Sequence, residues 1–136
     1  MESNETMDPM NGTMAGGTGQ GAAMDATEME RKMKECLDAC LACISACNHC
    51  LDACLEEEHA AMMKACIRLD RDCADLCGMA IQMMTRNSPF VKEFMLLCAQ
   101  ACDLCAEECA KHDHDHCQAC AEACRACSRA CMAMAV

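Results

Sequence analysis

Eighteen cysteines are the residues of this 136-residue chain best equipped for chemistry, and their spacing is regular. They fall in four runs: Cys36, Cys40, Cys43, Cys47, Cys50 and Cys54; Cys66, Cys73 and Cys77; Cys98, Cys102, Cys105 and Cys109; and Cys117, Cys120, Cys124, Cys127 and Cys131. Every interval within a run is three, four or seven residues. On an α-helix such spacing puts a whole run on one narrow stripe, the a and d positions of a heptad. Thiolates are soft ligands that select Cu(I), Zn(II) and iron–sulfur clusters. Five C-x-x-C pairs (40/43, 47/50, 102/105, 117/120 and 124/127) lie in phase on these stripes.

Other uses of the thiols fit less well. Cysteine can pack as a small hydrophobe, but leucine at the same inward positions would bury far more apolar area. Cysteines three or four apart on one helix have Cβ atoms about 5 to 6 Å apart, whereas a disulfide needs about 3.5 to 4.5 Å; bridges between helices stay open as an alternative. The compact C-x2-C-x2-C-x3-C run of an iron–sulfur protein is missing. A thiol–disulfide redox protein is a further alternative, although no C-x-x-C here sits in a strand-to-helix context. Zinc, or heavy metals generally, is the nearest rival to copper. Charge favours copper, because Cu(I) replacing one thiol proton leaves a neutral unit that can be buried many times over. Zn(II) held by four thiolates carries two negative charges, and several such sites in one core would repel.

Heptad extension of the stripes takes in further candidate ligands: Met29 and Met33, His59, Met63, Asp70 and Met84, Met95, His112, and Met134. Asp70 lies between Cys66 and Cys73, where a carboxylate is costly unless bonded; it is expected to be an added ligand or a hydrogen-bond acceptor, with a local register shift as the alternative. His112 and Met63 are taken as ligands, and His116 joins them at the head of the last cysteine run.

The elements that must carry these stripes are helices. From Thr27 onward the chain is rich in Ala, Leu, Met, Glu and Lys and poor in β-branched residues. Thr27 and Glu30 form a T-x-x-E capping box. EEEH at 56–59, TRNSP at 85–89 and KHDHDH at 111–116 are the breaks, with Ser88 and Pro89 opening one helix and Asp113 or Asp115 capping another. Helices are therefore expected over 28–56, 60–85, 89–111 and 116–133. The fold class is all-α, an antiparallel up-down-up-down four-helix bundle with a cysteine-lined core. In that bundle the 56–59 and 111–116 turns share an end that gathers His59, Met62, Met63, His112, His114 and His116. Met29, Met33, Met84, Met95 and Met134 gather at the other.

Residues 1–26 hold five of the six glycines and Pro9, and are expected to form a flexible Gly/Met-rich tail ahead of a domain over 27–136. This segment shows no basic n-region, apolar h-region or twin arginine, so a cytoplasmic protein is expected. Of 73 hydrophobic residues 24 are Ala, 18 Cys and 15 Met, leaving only 16 Leu, Ile, Val and Phe. With a net charge of −11, that balance would mean disorder unless the cysteines are the core. Acidity, scarce aromatics and no Lys/Arg cluster argue against nucleic acid as a partner, and no apolar run is long enough for a membrane span.

The segments CLDACLACISACNHCLDAC, CAQACDLCAEEC and HDHDHCQACAEACRACSRAC resemble those of the bacterial copper storage proteins. The resemblance covers about residues 28 to 134. It implies a four-helix bundle whose inward cysteines hold many Cu(I) ions; if nearly every thiolate is used and the sites stay neutral, capacity approaches roughly one Cu(I) per cysteine. It also implies storage without catalytic turnover, a homotetramer, and the cytosolic branch of the family.

Overall fold

The computed structural model describes residues 25–135. All but Asp25 and Ala26 of the expected tail, including Met7, Met10, Met14 and Met24, lie outside the described residues. Four helices follow one another: α1 (Ala26–Leu55), α2 (Lys64–Thr85), α3 (Val91–Ala110) and α4 (Asp115–Ala135), with a 3-10 turn at Ala60–Met63. There is no strand among the described residues.

The helix ends show which local bonds set each boundary. α1 is capped not by Thr27 but by Asp25, whose Oδ1 accepts from the Glu28 N–H at 2.8 Å. Both residues are good caps, and the carboxylate also favours the positive end of the helix dipole. The helix expected to begin at 60 instead starts with the 3-10 turn, because Met62 N–H reaches the His59 carbonyl at 2.9 Å. At the end of α2, Asn87 takes a left-handed φ of 54°. Ser88 N–H then closes on the Met83 carbonyl at 3.0 Å, a stop that asparagine tolerates. Ser88 Oγ accepts from Phe90 N–H at 3.2 Å, and α3 begins at Val91, two residues later than expected. α4 begins on the His114 carbonyl, which accepts from both Cys117 and Gln118 N–H at 3.0 Å. No capping bond from Asp113 or Asp115 is needed there.

Helix directions follow from which thiols meet. Cys43 meets Cys73 while Cys50 meets Cys66, so α2 runs against α1. Cys66 meets Cys109 while Cys77 meets Cys98, so α3 runs against α2. Cys36 meets Cys131 while Cys50 meets Cys117, which sets α4 against α1. The bundle is up-down-up-down, with the thiol stripes of all four helices turned inward.

All eighteen cysteines have no exposed surface, and Asp70 is equally buried. Met84 and Met95 are fully buried and Met134 nearly so, which closes the methionine end. Met29 is 40% exposed. Small residues beside the stripes, among them Ala80, Ala99 and Ala121, are also buried and let the helices approach closely. Partly buried Leu37, Ile44, Ile67, Leu76 and Phe94 pack against the flanks of this core.

Protonated thiols pack as small apolar groups, and these helices are built from strong helix formers. The reduced, metal-free protein is therefore expected to be mostly helical already. Far-ultraviolet circular dichroism before and after metal loading checks this; a random-coil spectrum without metal would contradict it.

Candidate metal centre

The four stripes interdigitate so that every thiol has at least one sulfur neighbour within 4.0 Å and those in the middle of the bundle have several. In the middle of the bundle Cys43 Sγ lies 3.5 Å from Cys73 and 3.7 Å from Cys124, and Cys73 lies 3.6 Å from Cys102. Toward the methionine end Cys77 is 3.6 Å from Cys127, which is 3.7 Å from Cys40. All eighteen are free thiols, so no inter-helix disulfide forms.

Ligand atoms lying within 4.8 Å of one another define groups that can each hold a metal ion. One is Cys43, Cys73, Cys77 and Cys102; another is Cys43, Cys47, Cys73 and Cys124; a third is Cys47, Cys105, Cys120 and Cys124. Because neighbouring groups share members, a thiolate in one site also faces the next. Bridged clusters suit this arrangement better than isolated closed sites.

Asp70 sits in the thiol core without a register shift. Its Oδ1 accepts from the thiols of Cys120 at 3.2 Å, Cys105 at 3.3 Å and Cys109 at 3.5 Å, and its Oδ2 from Cys66 at 3.8 Å. Burial, reinforced by the neighbouring Cys120 and Cys66 thiols, pushes its carboxyl up to about 8. Burial likewise pushes the Cys117 thiol up to about 11 and raises Cys54. Near neutral pH the Asp70 carboxyl and the Cys54 and Cys117 thiols therefore keep their protons.

At the end where α1 meets the 3-10 turn and α3 meets α4, thiols give way to nitrogen and oxygen donors. His116 places Nδ1 3.5 Å from both Cys50 and Cys117, and these three with Cys54 form a mixed group. Cys50, Cys54, Cys66 and Asp70 form another directly beneath. A cleft of about 300 Å³ opens outside them, lined by His59, Met62, Met63, His112 and His114 with Glu57 and Glu58. Met63 is buried in that wall, while Met62 is exposed. His112 pairs through Nε2 with Glu108 Oε2 at 2.9 Å.

Residues 29–136 match the family model described as "Csp: Copper storage protein". The chain belongs to the copper storage protein family. Among its relatives is the Bacillus subtilis "uncharacterized cysteine-rich protein YhjQ", 52% identical over 93 residues, 68% of this chain and 86% of that protein. The Cu(I)-bound copper storage protein BsCsp3 of Bacillus subtilis is 51% identical over 77% of this chain and 99% of its own, with a TM-score of 0.74. A cytosolic copper storage protein from Streptomyces lividans, solved during copper loading with five coppers, is 38% identical over 81% of this chain and 97% of its own, with a TM-score of 0.78.

In this copper storage family member the carboxylates around the histidines escaped sequence reasoning. Glu57 and Glu108 are each held below the usual carboxylate range by the histidine they bond, His116 and His112 respectively. Glu108 was within reach of a helical i,i+4 reading, whereas Glu57 is 59 residues from its partner and carries no local signal. Gln118 was also missed: its side-chain amide donates to the Ala110 and His112 carbonyls at 3.2 and 2.7 Å, holding the histidine turn in place.

The Asp70 environment has a pH signature. Its carboxyl titrates near 3.8 in an unfolded chain and near 8 in the fold, so folding favours the protonated form. That contribution is full below the unfolded value and is lost as pH rises toward 8. The melting temperature of metal-free Asp70→Asn, relative to the parent, should therefore rise between about pH 5 and about pH 8. Thermal unfolding of both proteins under reducing conditions measures the gap; a pH-independent gap would contradict this account of Asp70.

Proposed function

We propose that this family member stores Cu(I) in the cytosol, with no catalytic turnover, inside a storage domain spanning 27–136. The observation that carries the reading is the complete burial of all eighteen thiols in overlapping groups along one axis. The Cu(I) bound to BsCsp3 and the copper loaded into the Streptomyces protein support the same cargo here. The ligands are the eighteen cysteines, with Asp70 and His116 at the histidine end and Met63 and His112 lining the approach. Capacity is on the order of one Cu(I) per cysteine, since each ion replaces one proton and leaves no charge behind.

Uptake runs through the histidine end. The cleft there is lined by His and Met side chains at the end of the bundle where Cys54, Cys66, Cys109 and Cys117 lie buried, whereas Met84 and Met95 fill the opposite end. No helix among the described residues is long and apolar enough to cross a membrane. The cytosolic placement rests on the Streptomyces relative's description. Leu41, Leu96, Leu97 and Leu104 are exposed on the outside of the bundle, where a homotetramer of the kind the family resemblance implies would use them.

The test is an anaerobic titration of the fully reduced protein with Cu(I) in competition with Zn(II). Binding that continues to about eighteen Cu(I) ions per chain, undiminished by Zn(II), is expected. A plateau at four or five ions, or displacement of Cu(I) by Zn(II), would favour closed tetrathiolate zinc sites instead.

A further inference from the structure

Storage of Cu(I) leaves one contact at the mouth without a role. His116 is the second residue of α4, and its side chain is 12% exposed. The ring lies between two chemically different neighbours. Nδ1 faces the sulfurs of Cys50 and Cys117, each at 3.5 Å, and Nε2 lies 2.8 Å from Glu57 Oε2. An ionised carboxylate only accepts, so Nε2 must carry the hydrogen. A neutral imidazole with hydrogen on Nε2 has its free lone pair on Nδ1. That lone pair points at two thiols of the core.

Glu57 is itself held in place. It lies in the turn after α1, where its N–H donates to the Cys54 carbonyl at 3.2 Å, tying the turn to the last cysteine of the helix. His114 adds a second hold on the same carboxylate oxygen, with Nδ1 at 3.4 Å, and its ring stacks on that of His116 at 5.2 Å with 4° between the planes. Without Glu57, the buried face of the ring has no partner that decides which nitrogen keeps the hydrogen. The ring could then turn over and present Nε2, or an N–H, to the sulfurs.

We propose that Glu57 is a positioning residue for copper uptake: by accepting from Nε2 it fixes His116 so that the Nδ1 lone pair is preset toward Cys50 and Cys117. The proposal rests on the storage reading above. An incoming Cu(I) then meets a nitrogen already aimed at it, and the thiol that binds it gives up its proton to solvent. Carboxylate partners of this kind on ligand histidines typically matter by about 10- to 100-fold in metal affinity or activity.

Two measurements test it on the full-length protein. Long-range nitrogen–proton spectra of the metal-free protein should show the Nε2–H form at His116 in the native chain and in Glu57→Gln, whose amide oxygen still accepts, and a mixture of tautomers in Glu57→Ala. Stopped-flow transfer of substoichiometric Cu(I) from a chelator should be about 10-fold slower in Glu57→Ala. Glu57→Gln should recover most of that rate, and Glu56→Ala, which removes the same charge from the same turn without touching His116, should load at the native rate. Adding Glu57→Ala to His116→Ala should slow loading no further than His116→Ala alone. An Nδ1–H tautomer in the native chain, native loading by Glu57→Ala, or equal slowing by Glu57→Gln and Glu56→Ala would each overturn the proposal. A native protein that takes up only a few ions would end the storage reading itself, whereas full native capacity with an unaffected Glu57→Ala ends the positioning role alone.

Discussion

A buried thiol contributes less apolar area than the leucine that an ordinary bundle would place at the same position, and this bundle makes that exchange eighteen times. Cohesion has to come from elsewhere. Alanines beside the stripes let the helices approach closely, Met84 and Met95 fill one end, and larger aliphatic side chains pack along the flanks. The outer faces add exposed i,i+4 pairs such as Lys34 with Asp38 and Arg71 with Asp75. Such exposed pairs contribute little in water, so they support helix formation more than they hold helices together. Cargo supplies the rest: ions that bind the folded thiol array and not the unfolded chain stabilise the fold as they load.

The same exchange governs electrostatics. A core with this many ionisable groups can stay folded without metal only if it stays close to neutral. Asp70, pushed up to about 8, and Cys117, pushed up to about 11, are two groups on which burial keeps the proton. A monovalent ion taking the place of a proton preserves that neutrality step by step, whereas a divalent ion in a four-thiolate cage does not. Apart from the buried Asp70, oxygen and nitrogen donors gather where the thiol column meets solvent, so the chemistry grades from Glu57 and His114 outside, through His116, to sulfur within.

Much of this was legible in the residues themselves. The three-four spacing of the cysteines is a local property of a helix, so it identified four helices and their inward faces before any contact was known; it placed Asp70 on the stripe but left a register shift open, which only the contacts closed. Boundaries were less legible because alternative caps compete within a turn: Asp25 wins over Thr27, and backbone bonds from His59 and His114 decide where the next segments start. The histidines were readable as a cluster but not in their separate duties. His112 shares the heptad phase of Cys109 yet turns to Glu108, because a carboxylate one helical turn away is a better partner for a rim imidazole than a neutral thiol. Glu57 was invisible, since its importance arises only when the α1 turn is brought beside the start of α4.

Proton release counted during copper loading tests the central claim most directly. Reduced protein in weak buffer is titrated anaerobically with a Cu(I) complex whose ligand does not titrate, and the protons liberated are measured up to the plateau. The account predicts that, summed over the whole titration, about one proton leaves for each Cu(I) bound, because neutral thiol units become neutral copper–thiolate units. Release of about two or more protons per ion over the full titration would mean that thiolate charge accumulates in the core, and would contradict it.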